Sequence, residues 1–146
     1  MAEFVFKRLR YGSEDKELSY ALSLVGINFE PDDVVVEIPE SYNGEPVKNI
    51  AIEESYLSPQ PIYHDWHHPT QGIDGYDPGE YSLKESYWFY YGDKSKLKRV
   101  IFPASAKWIS LKAINESRPH GVSIRISPDN PYYEVKRNKM IKKKPQ

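Results

Sequence analysis

A short run of β-branched residues that ends at a proline recurs along this chain, and it restricts the folds open to it. Residues 34–41 read VVVEIPES, residues 98–105 read KRVIFPAS, and a weaker copy at residues 122–129 reads VSIRISPD. Alternating β-branched residues that stop at a proline and polar turn residues are typical of a strand followed by a turn. Recurrence of one such unit indicates a repeat architecture, in which equivalent strands stack and function consists of recognition across a surface.

Composition favours strands over long helices. The chain of 146 residues has 12 Tyr, 5 Phe and 3 Trp, and its 12 Pro and 8 Gly interrupt it too often for long helices. This length fits a single domain, 1–146, with its own core. The absence of Cys excludes disulfides, thiolate catalysis and cysteine metal sites. No apolar run reaches transmembrane length and no secretory signal is visible, so we expect no transmembrane segment.

The net charge of −1 hides a division along the sequence. Residues 30–93 hold 14 Asp and Glu and two Lys, whereas residues 94–146 hold 14 Lys and Arg and three acids. Such a division indicates a surface for an anionic partner, two faces that attract each other, or halves that interleave and cancel in the fold. The sequence leaves these three interpretations open.

Strand and turn signals divide the domain into parts. The predicted parts are an N-terminal β-hairpin cap (1–29), repeat units (30–51 and 96–141), a large aromatic insertion that does not repeat (52–95) and a tail (142–146). A solenoid needs a cap to shield its first core layer from water, and the hairpin is placed to be one.

Further local expectations lie within these parts. In the cap we expect strands at 4–11 and 17–24, followed by a connection at 26–33. Asn43 and Gly44 predict a tight turn in the first unit, since both residues tolerate a positive φ. In the second unit Ile109 matches Ile50 of the first. The sequence also predicts one helical turn at 111–114 and a last short strand at 138–141.

Three strings carry a resemblance to a known family: VVVEIPESYNGEPVKNIA from residue 34, LKRVIFPASAKWIS from residue 97 and VSIRISPDNPYYEV from residue 122. They resemble the BspA-type leucine-rich repeats of bacterial and protist surface proteins. Ile38-Pro39 and Phe102-Pro103 match the strand end of that family, and Ala51 occupies a position where the family has glycine. The resemblance implies a mainly β, short leucine-rich-repeat-like solenoid in an exported or cell-surface protein that binds other proteins. It implies no catalytic residues.

A histidine cluster in the insertion is the candidate metal site. Three of the four histidines lie within five residues, and the candidate ligands are His64, Asp65, His67 and His68. Imidazole and carboxylate groups are good ligands for zinc, nickel or copper. The alternative is an aromatic and polar loop with solvated histidines. A hydrolytic site built on this cluster is the corresponding alternative for function.

Aromatic residues in the insertion form the candidate partner-binding set, namely Trp66, Tyr87, Trp88, Tyr90 and Tyr91. Five consecutive aromatics at 87–91 cannot all face one core in a strand, because alternate side chains point to opposite sides. Two interpretations remain open. The run is either a strand buried on both sides or an exposed surface of the kind that dominates binding interfaces.

We therefore predict a non-enzymatic interaction module that needs no cofactor. Its expected partner is a protein or a glycan, bound through residues 56–91 and a face of the repeats. The basic segment from Lys136 to Lys144 is an alternative surface for nucleic acid, with Tyr132 and Tyr133 nearby to stack on bases. No recognised nucleic-acid module surrounds that segment, which argues against nucleic acid as the partner. No feature indicates an oligomeric state.

Overall fold

The computed structural model describes residues 1–8, 22–51 and 89–144 of this chain, and in these ranges the protein is mainly β with one short helix. The elements in chain order are β1 (Glu3–Arg8), β2 (Leu22–Phe29), β3 (Val35–Glu37), β4 (Ser41–Tyr42), β5 (Glu45–Pro46), β6 (Asn49–Ile50), β7 (Tyr90–Gly92), β8 (Arg99–Phe102), β9 (Trp108–Ile109), α1 (Leu111–Glu116), β10 (Ser123–Ile126), β11 (Tyr133–Lys136) and β12 (Lys139–Lys142).

The three copies of the recurring run form one parallel sheet, in the order β10-β8-β3. The central row of this sheet aligns Val36 with Val100 and Val100 with Ile124. These partners are the residues that the sequence alignment of the three copies equates. All three side chains are buried, since alternate residues of a strand point to the same face. The prediction that the copies form equivalent strands is therefore confirmed.

In the second sheet, too, parallel strands pair at positions that the sequence alignment equates. β6 lies between β2 and β9 in one sheet, and Ile50 pairs with Ile109 as the alignment predicts. β1 runs antiparallel to β2 along its other edge, as expected of an N-terminal hairpin. β7 also pairs with β2, in parallel. The side chains of both sheets that point inward form one buried cluster together with Ala113 and Ile114 of α1.

The position of β2 differs from the prediction. The sequence predicts a strand at 17–24 and a connection at 26–33, whereas β2 occupies Leu22–Phe29 and the connection begins at Glu30. Six of its eight residues are buried, because β2 is paired along both edges and is covered by the core. The buried large apolar residues change parity within β2, from Leu22 and Leu24 to Ile27 and Phe29, because Val25 is an extra residue opposite β1. The predicted connection is therefore wrong for residues 26–29, whereas residues 17–21 of the predicted strand lie outside the described residues.

Turns between paired elements follow the local signals. Asn43 and Gly44 both have a positive φ, of 50° and 81°, and join β4 to β5 in a two-residue hairpin, as predicted. In the second unit a shorter turn takes the place of this hairpin. The Glu40 carboxylate accepts hydrogen bonds from the backbone N–H groups of Ala104 (2.9 Å) and Ser105 (3.0 Å) and so joins the turns of the two units.

A hairpin closes the C-terminal end, and the sequence predicted only its second strand. β11 and β12 pair in antiparallel fashion across Arg137 and Asn138, both with a positive φ. The Asn138 side chain contacts the edge of β10, where Oδ1 accepts from the N–H of Ile124 (2.8 Å) and Nδ2 donates to the carbonyl of Val122 (3.2 Å). The predicted tail at 142–146 begins too early, since Lys142 belongs to β12.

The helix α1 confirms the predicted helical turn at 111–114 and extends it to Glu116. Within residues 1–8, 22–51 and 89–144, no helix has both the length and the apolar character needed to cross a membrane.

Candidate recognition surface

The outward face of the β10-β8-β3 sheet is the surface that the repeats build together. Its side chains alternate with the buried ones and form two rows across the strands. One row is Val35, Arg99 and Ser123, and the other is Glu37, Ile101 and Arg125. None of these six side chains is buried, so none is required to fill the core.

Hydrogen bonds fix part of this face. Arg99 Nε donates to Ser123 Oγ (3.3 Å), and Ser123 Oγ donates to the carbonyl of Lys98 (3.2 Å). In the second row an exposed carboxylate, an isoleucine and an exposed guanidinium follow one another from β3 to β10. The face therefore combines opposite charges at its two sides with an apolar centre. Both hydrogen bonds of the Ser123 hydroxyl are thus made to groups of β8 and of the residue before it.

The division of charge in the sequence persists in the fold. Described residues 22–51 carry six acids and one Lys, whereas 89–144 carry 14 Lys and Arg and four acids. β3 forms one edge of its sheet, and β10, beside the C-terminal hairpin, forms the other. The acidic first unit and the basic C-terminal hairpin thus lie at opposite ends of the stack.

The two ends of the insertion meet the same strand. The N–H of Ala51 donates to the carbonyl of Leu24 (2.7 Å), and the N–H of Ile27 donates to the carbonyl of Phe89 (2.9 Å). Leu24 and Ile27 are three residues apart on β2, which corresponds to about 10 Å of strand. The segment that the chain inserts at 52–88 therefore leaves and re-enters the fold at neighbouring points.

Most of the predicted site residues lie in that segment. His64, Asp65, Trp66, His67, His68, Tyr87 and Trp88 all fall outside the described residues. Their roles as metal ligands or partner contacts stay predictions. Within the described ranges no group of three or more His, Asp or Glu side chains is arranged to hold a metal ion.

Tyr90 lies in the core, which corrects its prediction as a partner-binding residue. Its side chain is 5% exposed, and its hydroxyl donates to the carbonyl of Ile114 (3.0 Å). Burial raises the pKa of this phenol above its ordinary value, and the positive charge of Arg118 opposes the shift. The ring packs edge-on against Phe89, with centroids 5.1 Å apart. Of the two interpretations of the aromatic run, the buried one therefore holds for these two residues.

The second predicted aromatic in this part, Tyr91, is half-buried. A Cβ added at Gly26 would lie 2.9 Å from its ring, so the ring packs over that glycine. Phe29 accepts a hydrogen bond from the N–H of Asp93 (3.0 Å), and β7 pairs with β2. Residues 89–95 thus belong to the folded domain, and the insertion ends earlier than the predicted 52–95.

Comparison with known proteins adds no relative. No family model, no curated protein and no solved structure matches this chain.

Buried asparagines are the residues that sequence reasoning undervalued. Asn130 is fully buried between the second and third units, and Asn49 is fully buried in β6, where Nδ2 donates to the carbonyl of Leu22 (3.1 Å). Asn115 accepts from the N–H of Met140 and donates to its carbonyl.

Proposed function

We propose that this chain is a non-enzymatic recognition module built as a short BspA-type leucine-rich-repeat solenoid. Its partner is a protein or a glycan. The contacts come from the outward face of the β10-β8-β3 sheet and from the insertion, in which Trp66, Tyr87 and Trp88 are the aromatic candidates. Tyr90 has no part in this surface because its ring is buried.

One observation carries the proposal. The register of the parallel sheet coincides with the alignment of the three sequence copies, and this agreement supports a repeated structural unit. In each copy the inward residues fill the core and the outward residues differ from strand to strand. A repeated scaffold with a variable outward row supports recognition, since the scaffold fixes the positions and the variable side chains set the specificity.

The chemistry of the face supports binding in the same way. Ile101 lies between Glu37 of β3 and Arg125 of β10, and Arg99 is oriented by Ser123. An apolar centre with charged flanks resembles the core and rim of protein interfaces, and arginine is enriched at such interfaces.

The experiment is a binding screen against an array of complex glycans and purified extracellular-matrix proteins. The test variant combines Glu37→Lys with Arg125→Glu, which exchanges the charges at the two ends of the second row and keeps the net charge. The matched control combines Lys96→Glu with Glu116→Lys, an exchange of two exposed charges outside the face. We expect the wild type and the control to share one binding profile, and the test variant to lose at least about tenfold in affinity, or about 1.4 kcal/mol.

A second variant separates the face from the insertion. In it a short Gly-Ser linker of about six residues replaces 52–88, which is long enough to span the roughly 10 Å between Leu24 and Ile27. If this variant keeps the fold and loses binding, the insertion supplies the dominant contacts. If neither the exchange of charges nor the excision alters binding, or if the wild type binds nothing on the array, the proposal is wrong.

A further inference from the structure

The free edge of β3 is a second surface with a chemistry of its own. β3 pairs with β8 on one side, and among the described residues no strand pairs with its other side. The N-terminal cap does not cover this edge, because β1 and β2 extend the other sheet, next to β6. The described strands of the cap, β1 and β2, therefore extend one sheet and do not pair with β3.

The hydrogen bonds to β8 identify the backbone groups at this edge. The carbonyl of Val34 accepts from the N–H groups of Lys98 and Arg99, and the N–H of Ile38 donates to the carbonyl of Ile101 (2.9 Å). In a parallel pair, alternate residues of a strand bond to the same neighbour. Residues 34, 36 and 38 thus face β8. The N–H and C=O groups of Val35 and Glu37 point away from it, to the free edge.

Two other strand edges in the described part of the chain carry side-chain hydrogen bonds. At the outer edge of β10, Asn138 accepts from the N–H of Ile124 and donates to the carbonyl of Val122. At β9 the N–H of Ile109 donates to the hydroxyl of Tyr133 (3.0 Å). An exposed strand edge is a template for pairing with another chain, and proteins usually cover or block it. The open edge of β3 stands out against these two covered ones.

Side chains around the edge select the occupant. Val34 and Val35 are 45% and 54% exposed, which provides apolar surface beside the open backbone. Residues 30–47 contain six acids and no cation. The N-terminal amine pairs with Glu30, and no described cation pairs with Glu37 or Asp32. The edge is therefore apolar in its centre and negative around it.

We infer that this edge binds an extended cationic peptide, which adds as a fourth strand beside β3. The backbone of the peptide pairs with the N–H and C=O groups of Val35 and Glu37. Its apolar side chains cover the exposed valines, and its lysine or arginine side chains lie near Glu37 and Asp32. This is β-augmentation, in which main-chain hydrogen bonds supply affinity and alternate side chains supply specificity. The inference does not depend on a partner for the outward face of the sheet.

The test titrates the protein with a short peptide of alternating lysine and valine and follows the backbone amide resonances. We expect the largest shifts at 35–37, and binding that weakens with added salt. Two peptides serve as controls. One has glutamate in place of lysine, and the other keeps lysine and valine but carries N-methyl groups on alternate amides along one edge. Both should bind at least about tenfold more weakly.

Two matched variants of the protein test the backbone contribution. Val35→Pro removes an N–H that faces the free edge and makes no bond to β8, a position where an edge strand tolerates proline. Val35→Thr keeps that N–H and the β-branched shape. We expect the first variant to lose binding of the lysine-valine peptide and the second to retain it.

Each other outcome overturns the inference. If the wild type binds the N-methylated peptide as tightly as the unmodified one, charge alone explains the binding and backbone pairing does not contribute. This comparison uses only the wild-type protein, so it remains decisive if Val35→Pro fails to fold. Absence of binding at about 1 mM peptide, the limit of weak specific affinity, would mean that the edge is not a peptide site. Self-association of the wild type in sedimentation velocity, lost in Val35→Pro, would assign the edge to a second copy of this chain.

Discussion

Asn130 connects the second and third repeat units, and its replacement by alanine tests how the stack is held together. Its side chain is fully buried. On one side Nδ2 donates to three carbonyl oxygens of the preceding turn, those of Pro103 (3.1 Å), Ala104 (3.2 Å) and Ala106 (2.8 Å). On the other side Oδ1 accepts from the backbone N–H groups of Tyr132 (2.7 Å) and Tyr133 (2.8 Å).

The magnitude follows from the number of bonds lost. The two hydrogens of Nδ2 and the two bonds accepted by Oδ1 amount to about four hydrogen bonds, each worth about 1 kcal/mol net. Alanine also leaves buried backbone groups without partners, at about 1–3 kcal/mol for each group that water cannot reach. We expect Asn130→Ala to lower the free energy of unfolding by about 3–5 kcal/mol, a large part of the 5–15 kcal/mol typical of a domain.

The assay is urea unfolding followed by circular dichroism in the β-sheet band. Asp129→Ala is the matched control, because this neighbouring side chain is exposed and should change stability by no more than about 0.5 kcal/mol. Asn130→Asp keeps the shape and the acceptor but turns an oxygen toward the three carbonyls, and it should be at least as destabilising at neutral pH. A loss below about 1 kcal/mol in Asn130→Ala would refute the reasoning that this side chain joins the units.

Two further predictions concern a pair of glycines and a buried phenol. Gly92 and Gly121 share a φ of +82°, but a Cβ at Gly92 would lie 2.3 Å from the Phe29 carbonyl oxygen and one at Gly121 meets no atom within 4 Å. In thermal unfolding Gly121→Ala should cost about 1 kcal/mol and Gly92→Ala more than about 3; equal costs would contradict this. Tyr90→Phe removes the bond to Ile114 and should cost about 1–2 kcal/mol at pH 7. Burial raises the pKa of the Tyr90 phenol in the folded state, so the wild-type free energy of unfolding should fall as the pH rises above ~10. Tyr90→Phe has no phenol to ionise, so its free energy of unfolding should fall less steeply over the same pH range. Equal slopes for the two proteins would contradict this assignment.

The sequence predicted the three equivalent strands well because each copy contains local signals for a strand and its end. A β-branched run, a stop at proline or serine and an inward residue at every second position specify strand, end and face together. The register of β3, β8 and β10 follows from aligning those signals, since a shift of one residue would turn the core side chains outward. The Asn43-Gly44 hairpin was predicted for a similar reason, because its φ requirement is local.

The parts that were missed depend on tertiary contacts. The alternation of β2 is interrupted at Val25, an extra residue whose position is set by the pairing with β1. The hairpin of β11 and β12 turns at Arg137 and Asn138, which lack the glycine that usually marks such a turn. Tyr90 is as aromatic as its neighbours in the sequence, and only the position of β7 beside β2 directs it into the core. For the candidate site, the sequence predicted that a face of the repeats is involved. Which six residues form that face became known only from the register of the three strands.

The size of that face bears on how the proposed module can bind. Three strands lie about 4.8 Å apart and are three or four residues long. At about 3.3 Å for each residue, they present no more than roughly 200 Å². A stable protein interface needs about 800 Å² on each partner. Asn138 occupies two of the hydrogen-bonding groups at the outer edge of β10, so a further strand there would have to displace its side chain. Stable recognition therefore requires a second contributor, and the 37 residues from 52 to 88, anchored at both ends on β2, are the segment long enough to supply it. On this reasoning the charge exchange at Glu37 and Arg125 should weaken binding, and only excision of the insertion should abolish it.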